Sequence, residues 1–223
     1  MWFLEPGMTI EQVIIKILAL LIIIFLILPF HEFAHGFIAY KFGDSTAKYQ
    51  GRLSLNPLKH IDPIGTLFLL ITGCFGWAKP VPIDSSNFKN VRLATALTAL
   101  AGPASNLIAA LLGGFIFNAI RFFSGSININ IYNLIVLFFY FYIYANVGLA
   151  IFNLLPIPPL DGSMILSSLL PKNAADFISK NGYLVMIITF VLIFSGILTI
   201  PLTIMDNFIF NFIIKITALP FGL

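Results

Sequence analysis

Residues 13–42 read VIIKILALLIIIFLILPFHEFAHGFIAYKF, and this stretch decides the fold. From Ile17 to Phe30 it carries no charge. A helix over Val13–Phe42 rises about 1.5 Å per residue and exceeds the roughly 30 Å hydrocarbon core of a bilayer. Pro29 predicts a kink just before the polar residues that follow. The remainder of the chain has the same character. Of 223 residues, 59% are hydrophobic and 9% are charged, against about 25% charged in a soluble domain. That is too few charges to cover a water-facing surface, and the hydrophobicity excludes disorder. Apolar runs at Leu93–Phe123, Ile131–Leu155 and Tyr183–Met205 predict further spanning helices. The expected fold is an all-α polytopic membrane protein with about four transmembrane helices, and residues 1–223 are read as a single membrane-embedded domain. Two shorter apolar stretches remain. Ile64–Trp77, interrupted by Gly65, Gly73 and Gly76, is too short to cross and is expected to be re-entrant or interfacial. Asn207–Leu219, which contains Lys215, is expected to be a C-terminal interfacial or half-spanning helix. Tyr49–Leu55 alternates weakly and suggests a short strand pair.

A net charge of +3 invites a nucleic-acid reading, but only 12 basic residues exist and none form a solvated basic face. The charge is better read as setting orientation. Lys41, Lys48, Arg52, Lys59, Lys79, Lys89 and Arg92 lie between the first two long runs, and Lys172 and Lys180 follow the third. The positive-inside tendency predicts that both segments face the cytoplasm and that the N-terminus lies outside. The first residues lack a basic n-region and a small-residue cleavage site, so no signal peptide is expected. Cys74 is the single cysteine, which excludes an intrachain disulfide and a multi-cysteine zinc site.

The chemistry begins at the predicted cytoplasmic end of the first helix, in His31-Glu32-Phe33-Ala34-His35. Residues four apart share a helix face, so both imidazoles can converge on one metal ion. Glu32 lies one step round, where a carboxylate can act on the attacking water of a zinc hydrolase. Polar residues at this depth are costly and usually functional. A catalytic zinc takes a third protein ligand and keeps one position open. No glutamate follows Glu32, and Lys41 stands where an extended histidine motif would place its third histidine. The candidates are therefore His60, Cys74, Asp44, Asp62, Asp84, Asp161, Asp176 and Asp206. Asp161 is the best of these. It follows Asn153-Leu-Leu-Pro-Ile-Pro-Pro-Leu, whose prolines keep the backbone extended, and irregular backbone at membrane depth belongs where it lines a cavity. The competing reading makes Asp161 the cap of a helix beginning near Ser163. His60 and Asp62, beside Pro57 and Pro63, read as local hydrogen-bonding residues.

Together, His31-Glu-Phe-Ala-His35 and Asn153-Leu-Leu-Pro-Ile-Pro-Pro-Leu-Asp161-Gly162 resemble the site-2 protease family of intramembrane zinc metalloproteases. Leu55-Asn-Pro-Leu-Lys-His-Ile-Asp-Pro-Ile-Gly65, Phe75-Gly-Trp-Ala-Lys-Pro-Val-Pro82 and Ala101-Gly-Pro-Ala-Ser-Asn106 are similar too. The resemblance runs from about residue 20 to 170 and is closest to the compact prokaryotic branch without a PDZ or CBS domain. Ser163 and Met164 depart from relatives that place glycine and then arginine there. The resemblance implies one zinc ion held by His31, His35 and Asp161, with Glu32 as general base. It implies a substrate or oxyanion contact for Asn153, and packing near the metal helix for Gly102 and Asn106. It also implies hydrolysis of peptide bonds in or near transmembrane segments of membrane proteins, within the lipid bilayer of the cell membrane and toward its cytoplasmic side. A substrate span would be held extended, for which a strand edge near Tyr49–Leu55 is the sequence-level expectation. Two rival classes are a metal transporter and a catalytically inactive binding or chaperone homologue. The near absence of charge in the later runs speaks against the first, and Glu32 against the second.

Overall fold

A computed structural model describes residues 7–72, 77–123, 125 and 128–222. Residues 73–76 of the Ile64–Trp77 stretch, Cys74 among them, and the first six residues of the chain lie outside these. The first helix, α1 (Ile10–Lys41), opens on a capping box: Thr9 Oγ1 accepts from the Gln12 amide, and the Gln12 side chain accepts from the Thr9 amide. It continues through Pro29, with a π-helical turn at Ile23–Ile27 immediately before that proline. In a regular helix the proline ring meets the carbonyl four residues back, and a wider turn relieves that conflict.

Two more long helices follow. α4 (Val91–Phe122) is capped by Asn90 and α5 (Ile129–Leu154) by Asn128. Shorter helices are α2 (Thr46–Tyr49), α3 (Pro63–Thr72), α6 (Asp161–Leu169), α7 (Lys172–Lys180) and α8 (Gly182–Phe194). The last is α9 (Thr199–Ala218). Ile23 and Ile27 of α1 pack on Ala109 of α4 and Ala145 of α5, and Ala110, Ile143, Val147, Ile151 and Ile213 join α4, α5 and α9. Alanines at these crossings let the backbones approach closely, as packing between helices in lipid requires. At the end of the bundle far from the histidines, Asn118 Nδ2 donates to Ile214 O (3.1 Å) and Thr217 Oγ1 (2.9 Å), while Arg121 donates to Asn118 Oδ1 (3.0 Å).

Among the described residues, four helices are long and apolar enough to cross a membrane: Ile10–Lys41, Val91–Phe122, Ile129–Leu154 and Thr199–Phe221. The fourth differs from the sequence expectation. The run Tyr183–Met205 is not one helix, because α8 ends at Phe194 and Gly196 takes a φ of +82°. With 13 residues, α8 is about 20 Å long and falls short of the core thickness. Pro201 is tolerated in the first turn of α9, where its missing N–H has no helical partner to lose. Asn207–Leu219 is therefore the greater part of the fourth long helix rather than an interfacial one, with Lys215 in its last turn.

The strand pair expected at Tyr49–Leu55 is absent. Tyr49 closes α2, Gly51 turns the chain at φ +65°, and the amides of Arg52 and Leu53 both donate back to Ala47 O. Among the described residues, β structure reduces to one isolated antiparallel bridge, Ile61 with Ala78. Next to it, Lys79 N donates to His60 O at 2.7 Å.

Asp44 organises the loops at this end. It is fully buried and accepts from Thr46 N (3.0 Å), Thr46 Oγ1 (2.5 Å), Asp84 N (2.8 Å) and Asn87 Nδ2 (2.9 Å). Burial alone raises such a carboxyl, but the bonds from Thr46, the Asp84 amide and Asn87 hold it below its ordinary value of 3.8. A depressed folded value gives stability that is complete above the ordinary value and is lost as pH falls through the folded one. Asp44→Asn is therefore expected to cost about 1–3 kcal/mol at neutral pH, the range for disturbing a buried charged hydrogen-bond network. Thermal unfolding in detergent reads this, and the gap from wild type should narrow below pH 3.8. A gap independent of pH would show that the charge of Asp44 is not what holds the loops.

Candidate metal centre

His31 and His35 stand one turn apart on α1, 5% and 7% exposed. His35 Nδ1 lies 2.6 Å from Thr98 O on α4. A carbonyl only accepts, so that contact places the proton on Nδ1 and leaves the Nε2 lone pair free. His35 Nε2 is 3.0 Å from His31 Nε2. Asp161 reaches the same point, with Oδ2 3.4 Å from His31 Nε2 and Oδ1 3.4 Å from His35 Nε2. The carboxylate arrives there because the Pro-rich segment after α5 ends where α6 begins. Gly162 makes that junction possible: a Cβ on it would run into the carbonyls of Leu154 and Leu155. Asp161 is the first residue of α6 and its helix has no side-chain cap, so the capping reading fails and the carboxylate faces the histidines instead. Burial by itself would raise the Asp161 carboxyl, but the imidazoles of His31 and His35 beside it, where protonated, lower it to about 2.

These three side chains are the one potential metal-holding group of three or more such residues among the described residues. Their ligand atoms lie within 4.8 Å of one another. Two nitrogens and one carboxylate oxygen form a donor set that zinc accepts, and bonds of about 2.0–2.1 Å in a tetrahedron set ligand atoms about 3.3 Å apart. The two nitrogens stand 3.0 Å apart and each has a different Asp161 oxygen at 3.4 Å, distances close to that spacing. Asp161 Oδ2 is also buried without a hydrogen-bond partner, a costly state that an ion removes. The wall opposite is Gly102 of α4. A Cβ there would collide with His35 Nε2 and stand 2.5 Å from His31 Cε1.

Glu32 is half-buried, and its Oε2 accepts from the Val81 amide at 2.9 Å. Asn153, in the last turn of α5, gives one carboxamide N–H to Leu149 O at 3.0 Å, which leaves its second N–H. Asn106 is fully buried one turn beyond Gly102, with neither carboxamide atom partnered. The other candidate ligands are elsewhere. His60 is buried against Ser54 O (2.6 Å), Asp62 accepts from Gly65 N (2.8 Å), and Asp84 caps the turn at Ser85–Asn87. Asp176 is exposed on α7, and Asp206 lies in α9 beside Gly148. Two contributors escaped the sequence reading because both are backbone groups: Thr98 O, which orients His35, and Val81 N, which meets Glu32. The only signal for the latter is the Pro80-Val81-Pro82 pattern, which strips its neighbours of donors.

Residues 118–196, which include Asn153 and Asp161, match peptidase family M50. Two relatives bear the name "Putative zinc metalloprotease". YwhC of Bacillus subtilis is 43% identical over 175 residues, covering 76% of this chain and 80% of YwhC. Rip2 of Mycolicibacterium smegmatis is 32% identical over 136 residues, covering 59% of this chain and 49% of Rip2. The match to Rip2 thus spans about half of that protein's length. No solved structure gave a significant match.

Proposed function

The chain belongs to peptidase family M50, the site-2 protease family, and from that premise we propose that His31, His35 and Asp161 hold one zinc ion beside Glu32 as general base. The activity is that of an intramembrane zinc metalloprotease, and the protein is a multi-pass membrane protein. The observation that carries the residue assignment is the convergence, behind an apolar helix, of two imidazole nitrogens 3.0 Å apart and a carboxylate that sets one oxygen 3.4 Å from each of them.

Zinc bound there supplies Lewis acidity toward the scissile carbonyl and makes water nucleophilic near neutral pH. Thr98 O keeps His35 in the tautomer that presents Nε2. Glu32 takes a proton from the attacking water through its free oxygen. As the carbonyl carbon becomes tetrahedral, the second carboxamide N–H of Asn153 donates to its oxygen. Glu32 then returns the proton to the leaving nitrogen, and the C–N bond breaks. Gly102 keeps α4 close behind the imidazoles, and Asn106 packs on the same helix one turn deeper.

The site is read as facing the cytoplasm, with the N-terminus outside, because seven of the twelve basic residues fall between residues 41 and 92. The packing of α1, α4, α5 and α9 around shared cores supports reading residues 1–223 as one domain. Ile64, Leu67 and Phe68 of α3 are exposed, which supports a segment that dips into lipid beside the site.

The substrate is a membrane protein whose span is cut in or near its apolar segment. Backbone hydrogen bonds shield a helical peptide bond, so cleavage requires local unwinding. Gly in place of Ala costs a helix about 1 kcal/mol, so each such change near the cut should speed cleavage about fivefold. Paired single-span substrates in liposomes, one with Gly or Asn near the cut and one with an Ala/Leu run, test this. Equal rates, or cleavage of soluble unfolded protein with no action on spans, would overturn the substrate assignment.

A further inference from the structure

The hydrogen bond from Val81 to Glu32 comes from a segment that is held in place with unusual completeness. Lys79–Asp84 is irregular backbone that lies against α1 at Glu32 and Gly36. Within it Pro80 and Pro82 have no N–H, so Val81 is the one backbone donor of that triplet, and it points at Glu32 Oε2 (2.9 Å). At the leading end Arg52 Nη2 donates to Lys79 O (2.7 Å) and Pro80 O (3.2 Å), and Lys79 N donates to His60 O (2.7 Å). At the trailing end Asp84 N donates to Asp44 Oδ2 (2.8 Å). Between these anchors Val81 is 6% exposed and seats against Gly36, where a Cβ would stand 3.1 Å from Val81 Cγ1. Gly36 directly follows His35 on α1, so the segment is fitted to the helix that carries the site.

We infer that Lys79–Asp84 is a strap that positions Glu32, and that Arg52 is the positioning residue that holds the strap in register. This rests on the reading of Glu32 as general base. A glutamate side chain has three rotatable bonds and can place its carboxylate in many directions. A fixed N–H on one oxygen selects one of them and leaves the other oxygen to take the proton. The bond is charge-assisted, hence among the stronger kinds. His60 and Asp44, two of the sequence-level metal candidates, act here as anchors of the strap.

The test uses the full chain, loaded with zinc in detergent, and reads three quantities. The first is hydrogen exchange at Val81, which a peptide spanning Pro80–Pro82 reports as a single amide. Glu32→Ala should speed that exchange at least about tenfold, whereas Glu32→Gln, which keeps an acceptor oxygen, should leave it protected. Arg52→Ala should also speed it. The second and third are zinc content and the split between kcat and KM on a membrane-span substrate. Loss of an orienting contact typically costs about 10- to 100-fold. Arg52→Ala should lower kcat by that factor with zinc content and KM unchanged, and Arg52→Lys should recover part of it. Val81→Pro, which deletes the donor without touching Arg52, should reproduce the kcat loss if Arg52→Ala proves unstable. Unchanged exchange in both Glu32→Ala and Arg52→Ala would overturn the strap. Faster exchange at full kcat, or a rise in KM at full kcat, would overturn its positioning role. Full turnover in Glu32→Gln is a separate outcome: it removes the general-base reading, while the exchange arms still report whether the bond exists.

Discussion

Glu32→Gln is expected to lower turnover by about 10²- to 10⁴-fold while zinc content stays at the wild-type level. The range is that lost when a positioned general base is removed. The carboxamide has nearly the shape of the carboxylate and keeps an acceptor for the Val81 amide, so the strap and α1 should be undisturbed. It cannot take a proton from water, however, and that is the one step assigned to Glu32. The three converging ligand atoms belong to His31, His35 and Asp161, none of which is changed. Metal analysis of the purified variant, beside cleavage of a span substrate, separates the two effects. Zinc loss in Glu32→Gln would place this carboxylate among the ligands. Turnover near wild type would assign proton transfer to another group.

How much of this was legible in the sequence follows from what each residue can signal. Two histidines four apart in a chain with three histidines in all, at the end of a long apolar run, announce a shared helix face. Asp161 is a longer inference, since 125 residues lie between it and His35, but prolines at 156, 158 and 159 mark the chain as irregular where polarity returns. The fourth span lies further along the chain than hydropathy alone predicts. Hydropathy is continuous from Tyr183 to Met205, and Ser195-Gly196 and Pro201 punctuate it. Gly196 in the left-handed region and a proline in a first turn are end and start signals that outrank an unbroken apolar run. At Tyr49–Leu55 a weak alternation was outweighed by Gly51, which lets the chain turn back on α2. The backbone groups that orient His35 and Glu32 leave no side-chain mark at all, because any residue at 98 or any non-proline at 81 offers the same carbonyl or amide.

Asp161→Ala is expected to weaken zinc binding by more than about 100-fold, since the loss of contacts outside the ligand shell already costs 10- to 100-fold. Removing the carboxylate leaves two imidazoles on one side of the site, and two ligands do not hold zinc against competition from a chelator. Among the described residues, Asp161 is the carboxylate in ion-pair contact with both histidines: its two oxygens stand 3.4 Å from His31 Nε2 and from His35 Nε2. Asp161→Asn is the sharper variant. It preserves size and the start of α6, but exchanges an anionic ligand, held ionised with its carboxyl lowered to about 2, for a neutral amide. Both variants should lose zinc to a chelator at concentrations that wild type resists. His60→Ala and Asp62→Ala should behave as wild type in the same titration, because His60 is occupied by Ser54 O and Asp62 by the Gly65 amide. His60→Ala nevertheless serves as more than a negative control. It removes a side chain that is 1% exposed directly beside the bridge between Ile61 and Ala78, so a stability loss is expected of it where a zinc loss is not. A variant series in which His60→Ala releases zinc while Asp161→Ala retains it would displace Asp161 from the ligand set, and with it the role of the Pro-rich segment that delivers Asp161 to the histidines.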